Sequence, residues 1–244
     1  MSTSYQKLGL LQFASRRTKM TAVRKAGLVI FLISVFVLPL ANRTGSARFN
    51  LQTPTAKVAY VTIPSGEYKL DAAHSLIGFA IRHLEINWVE GRFNEFSGTI
   101  HYDEKDITKS SVEFTAKVES IDTGVAPRDK HLRSADFFEV EKYPELSFKS
   151  TRVERKGKAH VLYGDLTLKG VTKPVAIPFT MAGAIKDQRG NARFGVQGET
   201  KINRRDFGIN FGTELPGGGL NIGNEVSIRL HLEALLPAAK PASE

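Results

Sequence analysis

"SSVEFTAKVESI", residues 110–121, alternates without a slip: Val112, Phe114, Ala116 and Val118 share one parity, and Ser111, Glu113, Thr115, Lys117 and Glu119 the other. Side chains along a strand point to opposite faces in turn, so the stretch carries one apolar row and one solvated row. The same period recurs on both sides of it: in Ile77, Phe79 and Ile81; in Val175, Ile177, Phe179 and Met181; in Phe194, Val196 and Ile202; and in Val226, Ile228, Leu230 and Leu232. Rows of this kind predict half-buried antiparallel strands.

Length narrows the architecture. The segments 92–102, 145–153, 159–168 and 175–186 each run to nine residues or more, beyond the usual five or six. About eight long strands with one apolar face each are most economically closed on themselves, which removes exposed edges. The expectation is a mainly β protein, a single extended antiparallel barrel of eight strands with one or two short helices; a two-sheet sandwich is the alternative. Such a barrel has room for side chains or for one small ligand. Its inward candidates are Phe79, Ile81, Phe93, Phe96, Phe114, Phe148, Phe179, Phe194 and Ile228. These rings either fill a core or line a cavity.

"APRDKHLRSADFFEVEKYPELSF", residues 126–148, breaks the period. Pro127 suits a first helical turn and Asp129 favours a helix N-terminus. Asp136 and Glu139 have the spacing of a capping box, and Pro144 drives Tyr143 into extended backbone. The stretch reads as one or two short helices crossing an end of the barrel, with Leu132, Phe137 and Phe138 as anchors.

Of the 244 residues none is Cys, which removes disulfides, thiolate metal sites and a Cys nucleophile. The net charge of +9 is concentrated in the leader. Residues 1–47 hold seven basic side chains and no acidic one, leaving 27 Lys and Arg against 25 Asp and Glu. A phosphate-binding stripe is missing from the remainder, which argues against nucleic acid as a partner.

That leader places basic residues before the apolar run Ala26–Leu40 and ends in "GSA" at Ala47. As a helix the run spans about 22 Å, short of the ~30 Å hydrocarbon core, so residues 1–47 read as an export signal, with Met1 or Met20 as the start. An uncleaved inner-membrane anchor is the alternative. Residues 48–64 read as a linker, 65–236 as the single barrel domain and 237–244 as a loose tail.

Chemistry is sparse. There is no Gly-x-Ser-x-Gly elbow and no His-Glu-x-x-His pair; the expectation is no catalytic residue, no metal and no cofactor. Asp71, His74 and Ser75 sit too close in sequence to form a triad and read as a turn. His74, Arg128, Asp129, His131, Arg204 and Asp206 are candidates for the barrel rim or for contact with a ligand head group. Arg204 or Arg205 is expected to pair with Asp206 or Asp129, the alternative being a phosphate or carboxylate head group.

Five ordered blocks then carry a resemblance: "YKLDAAHSLIGFAIRH" (68–83), "GRFNEFSGTI" (91–100), "IDTGVAPRDKHLRSADFFEVEKYPELSF" (121–148), "YGDLTLKGVTKPV" (163–175) and "INRRDFGI" (202–209). Together they resemble the YceI-like family of polyisoprenoid-binding proteins. The resemblance implies a lipocalin-like barrel exported to the periplasm or secreted, whose apolar cavity holds a long isoprenoid or related lipid. It also admits contact with a membrane surface for ligand exchange and a homodimer. An enzyme acting on an amphiphile, or a stress-related barrel with a filled core, are the competing readings.

Overall fold

The computed structural model describes residues 61–238 apart from Lys158. The expected signal segment, residues 48–60 of the expected linker and residues 239–244 of the tail lie outside the described residues. Eleven strands form one antiparallel sheet: β1 (Gly66–Leu70), β2 (Leu76–His83), β3 (Asn87–Phe93), β4 (Phe96–Tyr102), β5 (Ser111–Lys117), β6 (Ile121–Asp122), β7 (Glu145–Lys156), β8 (Ala159–Leu168), β9 (Val171–Lys186), β10 (Ala192–Asn203) and β11 (Ile222–Leu236). One helix, α1 (Ala126–Arg133), lies between β6 and β7.

The neighbour order is β1-β4-β5-β7-β8-β9-β10-β11, closed by β1 against β11, with β2, β3 and β6 following from β11. The registers show what this means. β1 and β2 run along the same strand, β11, at Leu70↔Ala234 and His231↔Leu76. β3 pairs with β2 and β4 with β1, while β6 pairs with β3 and β5 with β4. The first six segments are therefore three long strands, each broken once, and the barrel wall has eight strands as expected.

All three breaks fall at one level. Asp71–Ser75, Asn94–Glu95 and Val118–Ser120 lie side by side, joined across the gap by Asn94 N–H to Ser120 O (3.1 Å) and Lys117 N–H to Glu95 O (2.9 Å). The unbroken strand expected over 92–102 is thus two strands. Asp71 makes its own break: its carboxylate accepts from Ala73 N–H at 3.2 Å and caps a short 3-10 turn, the local hydrogen bonding that draws Asp out of extended ladders.

Elsewhere the turns follow their residues. Lys169 and Gly170, both at positive φ (50° and 72°), join β8 to β9 in a two-residue connection, the geometry whose twist matches paired strands. Pro127 occupies the first turn of α1. The capping box expected at Asp136 and Glu139 does not form: residues 135–138 are turns, Glu139 takes φ 52°, and Asp136 instead meets His131. The segment holds one helix, fixed to the wall by Arg133 donating to Glu119 O (2.8 Å) and Ile121 O (2.9 Å).

Two buried clusters plug the barrel. One gathers Ile77, Phe93, Val118, Ile121, Phe137, Leu146 and Phe207 beneath α1. The other gathers Tyr68, Ile100, Phe194 and Ala234 with Ile63, which belongs to the expected linker. Tyr68 is fully buried there, donates to Pro64 O at 2.8 Å, and has its phenol pushed up to about 12 by burial. Between the clusters the interior is hollow.

Candidate functional site

The hollow has a volume of about 460 Å³, within the range of small-ligand pockets. Its wall comes from inward rows of nearly every strand. Phe79, Ile81 and Phe93 contribute from β2 and β3; Phe114 and Phe148 from β5 and β7; Val175, Ile177 and Phe179 from β9; Phe194 from β10; Ile228 from β11. Eight of the nine residues expected to face inward line the cavity. Phe96 does not: it packs against Phe114, with ring centroids 6.0 Å apart, inside the cluster beneath α1.

Aromatic rings line rather than fill because glycines make room for them in the wall. A Cβ placed on Gly91 would stand 2.4 Å from Phe79 Cζ, and one on Gly164 2.4 Å from Phe148 Cζ. The tip of each ring stands where a Cβ would otherwise be, a position closed to it by any side chain larger than hydrogen. Thr200 and Ser110 add isolated hydroxyls to the lining.

The exposed members of the lining are His83, His131 and Phe211, so the cavity meets solvent beside α1. His131 stands there with its ring edge-on to Phe137 (5.0 Å) and Phe211 (4.8 Å), and its Nε2 lies 2.8 Å from Asp136 Oδ2. Arg128 also lines the cavity. Its guanidinium donates to Thr123 Oγ1 (2.7 Å) and Thr123 O (2.9 Å). Asp129 is buried but faces away, accepting from Thr123 N–H (2.9 Å) and Thr123 Oγ1 (2.5 Å). A single threonine thereby clamps both ends of the Arg-Asp pair of α1.

Arg204 departs from the expected ion pair. It is 3% exposed, lines the cavity, and donates to three backbone carbonyls: Gly223 (2.8 Å), Ile209 (2.8 Å) and Ile222 (3.1 Å). Neither Asp206, which is exposed, nor Asp129 reaches it. Burial lowers its pKa, and the neighbouring Arg205 adds to the effect. Three carbonyl dipoles offset part of the cost of burying the charge.

His74 lies outside the cavity, at the break between β1 and β2. Its Nδ1 is 3.0 Å from Asp71 Oδ2. Ser75 is held by the backbone, its Oγ accepting from Glu233 N–H (2.9 Å), so no nucleophile–base pair forms among Asp71, His74 and Ser75. Asp71, His74 and Glu233 bring ligand-type atoms within 4.8 Å of one another. Arg193 occupies that cluster, donating to Asp71 Oδ2 (2.8 Å), Asp187 Oδ2 (2.9 Å) and Glu233. Its guanidinium, followed by His74, holds the Asp71 carboxyl low; Asn191, followed by Arg193, holds Asp187 lower still. The group is an ion-pair lock, and sequence patterns missed it because Asp71 and Arg193 are 122 positions apart.

Five large apolar side chains are exposed near the mouth: Leu84, Ile86, Trp88, Val125 and Phe211, with Ile86 79% exposed. The β2–β3 turn that carries Leu84 and Glu85 holds both at positive φ (53° and 58°), a conformation that Asn or Gly adopts at lower cost. The turn is tied to the 209–222 loop by Leu84 N–H to Asn221 O (2.9 Å). Arg82 stacks on Trp88 at 4.4 Å.

Comparison with known proteins agrees with this architecture. Residues 68–234 match the YceI-like domain family. A UPF0312 protein of Photorhabdus laumondii is 44% identical over 153 residues, 62% of this chain and 79% of that protein. A UPF0312 protein of Pseudomonas aeruginosa is 43% identical over 147 residues, 59% and 77% respectively. Among solved structures, BcnA of Burkholderia cenocepacia is similar at a TM-score of 0.58 and 27% identity, covering 67% of this chain and 98% of that one. A polyisoprenoid binding domain from Saccharophagus degradans shares the fold at a TM-score of 0.52 and 20% identity, over 70% and 98%. With its eight-stranded wall, its single end helix and a family match over nearly the whole barrel, the chain belongs to the YceI-like family.

Proposed function

We propose that this protein binds and carries a long-chain isoprenoid or similar amphiphilic lipid, without chemical conversion, outside the cytoplasm. The observation that carries the reading is the cavity itself: about 460 Å³, walled by phenylalanine and aliphatic side chains, with no Asp or Glu among its lining residues. Ten methylenes buried there would contribute about 8 kcal/mol before ordering costs. That gross gain equals the free energy of micromolar binding, and further methylenes of a longer chain supply the surplus that ordering costs require. A filled structural barrel accounts for none of this space, and an enzyme would require convergent acid–base groups in it.

The apolar rim supports loading at a membrane surface. Leu84, Ile86, Trp88 and Phe211 are placed so that a lipid tail could leave a bilayer for the mouth without crossing bulk water. The basic, apolar leader supports export to the periplasm or secretion. Native mass spectrometry of protein purified from its own cells tests the carrier reading. A bound lipid mass is expected, and protein that is consistently empty in every preparation overturns it.

A further inference from the structure

The hollow has two unlike ends. Beside α1 it meets solvent; at the far end it stops on packed rings. Phe194 and Tyr102 line it there, their centroids 5.6 Å apart. Behind them stands Tyr68, edge-on to both, 4.8 Å from Phe194 and 6.2 Å from Tyr102. Tyr68 is backed in turn by the chain that precedes β1: Ile63 is buried against it, Pro64 O accepts from its hydroxyl, and Val61 N–H donates to Ala184 O at 3.3 Å. The 3-10 turn Ile107–Lys109 completes the closure, with Ile107 and Ser110 in the lining and Ser110 Oγ accepting from Asp103 N–H at 3.0 Å. Among the described residues, Tyr102, Ile107, Ser110 and Phe194 are all shielded, none of them exposed.

β10 measures the height above that floor. Its inward positions Phe194, Val196, Gly198, Thr200 and Ile202 line the hollow in unbroken succession. Eight residue steps of about 3.4 Å make roughly 27 Å along the strand, and a wall tilt of about 40° shortens this to roughly 20 Å along the barrel axis. An extended isoprene unit adds four chain bonds of about 1.5 Å, or roughly 5 Å of length. The hollow is therefore about four units deep.

We infer that this floor is a length ruler, matched to an isoprenoid chain of about four units whose terminal unit stops on Phe194 and Tyr102. The inference rests on the carrier reading and adds a chain length to it. Carbons inside the hollow leave water and add to affinity; those beyond its depth stay outside and add little. Deeper entry would have to displace rings that are close-packed on their far side. The ruler is adjustable. Val196 is the next inward position above Phe194, roughly 5 Å nearer the mouth, so Val196→Phe raises the floor by about one unit, and Phe194→Ala lowers it toward Tyr68.

The test titrates delipidated protein with isoprenols of two to six units, each displacing the fluorescent dye 1-anilinonaphthalene-8-sulfonate. Affinity is expected to rise at least about tenfold per unit up to the fourth, and by less than about threefold for each unit after it. Val196→Phe should move the break to three units and Phe194→Ala to five. Val196→Phe adds a ring to open space, so it keeps the test valid if Phe194→Ala fails to fold. Affinity that climbs without a break to six units overturns the ruler and leaves the carrier reading standing. A break that stays at the same length in folded Val196→Phe protein overturns it too, because the limit then lies away from this floor. Binding of no member of the series overturns both readings.

Discussion

Phe79 lies across Gly91 of the neighbouring strand, its Cζ 2.4 Å from where a glycine-to-alanine change would put a methyl carbon. The ring is stored in the wall, and the lumen stays open because it is. Gly91→Ala is expected to push the ring inward, lowering stability by about 1–3 kcal/mol and weakening lipid binding. Phe79→Leu in the same chain should restore most of both, the contact of the new methyl with Thr123 Cγ2 at 2.8 Å remaining. Denaturant titration and binding of geranylgeraniol to the two single variants and the double variant read the coupling; strictly additive effects would break the link between ring and glycine.

Phe114→Asp and Phe179→Asp each place a carboxylate in a cavity that has no acidic group. An unpaired charge in such surroundings strongly disfavours hydrocarbon beside it. Both variants are expected to lose retained lipid. Mass spectrometry of solvent extracts from the folded variants checks this, and lipid kept by both rejects the proposed lining.

Ile86 is the most exposed large apolar side chain described and has little packing to lose. Ile86→Asp should therefore leave stability within about 0.5 kcal/mol while slowing uptake of geranylgeraniol from phosphatidylcholine vesicles several-fold. Uptake at the unmodified rate, from this variant and from Trp88→Ser alike, would remove the rim from the loading route.

Arg193, on β10, holds Asp71 at the end of β1, Asp187 in the turn after β9 and Glu233 on β11, and the two aspartates titrate below their ordinary value of 3.8. Groups with a depressed folded pKa stabilise above the unfolded value and lose that contribution as pH falls through the folded one. Arg193→Met is accordingly expected to melt several degrees below the parent at pH 7. The gap should narrow once pH drops below about 4. A constant gap down to pH 2 would mean that packing, rather than charge, explains the loss.

Alternation made the wall legible because each strand buries one face: spacing alone put Val175, Ile177 and Phe179 on one inward row, and the structure shows that row lining the cavity. The breaks were not legible. Phe93 and Phe96 are three residues apart and cannot share a face of one continuous strand. The pause at Asn94–Glu95 resets the parity between β3 and β4, and Phe96 then begins its strand inside the packed cluster. Arg204 was misread for a different reason. Sequence offered it acidic neighbours, whereas its loop offered three carbonyls at closer range. Nor does local pattern reveal that Gly91 and Gly164 are seats for rings on adjoining strands.

The aligned pauses at Asp71–Ser75, Asn94–Glu95 and Val118–Ser120 give one side of the cylinder a fold line. Continuous ladders resist a change of girth, because widening one pair strains the next. Here three neighbouring staves are jointed at a common height, whereas the five unbroken staves carry only local bulges, at Ser150/Arg152 and Gly195/Val196, so the jointed flank is the less constrained one. For the proposed carrier, that crease is where guests of different thickness would be taken up without unzipping the wall.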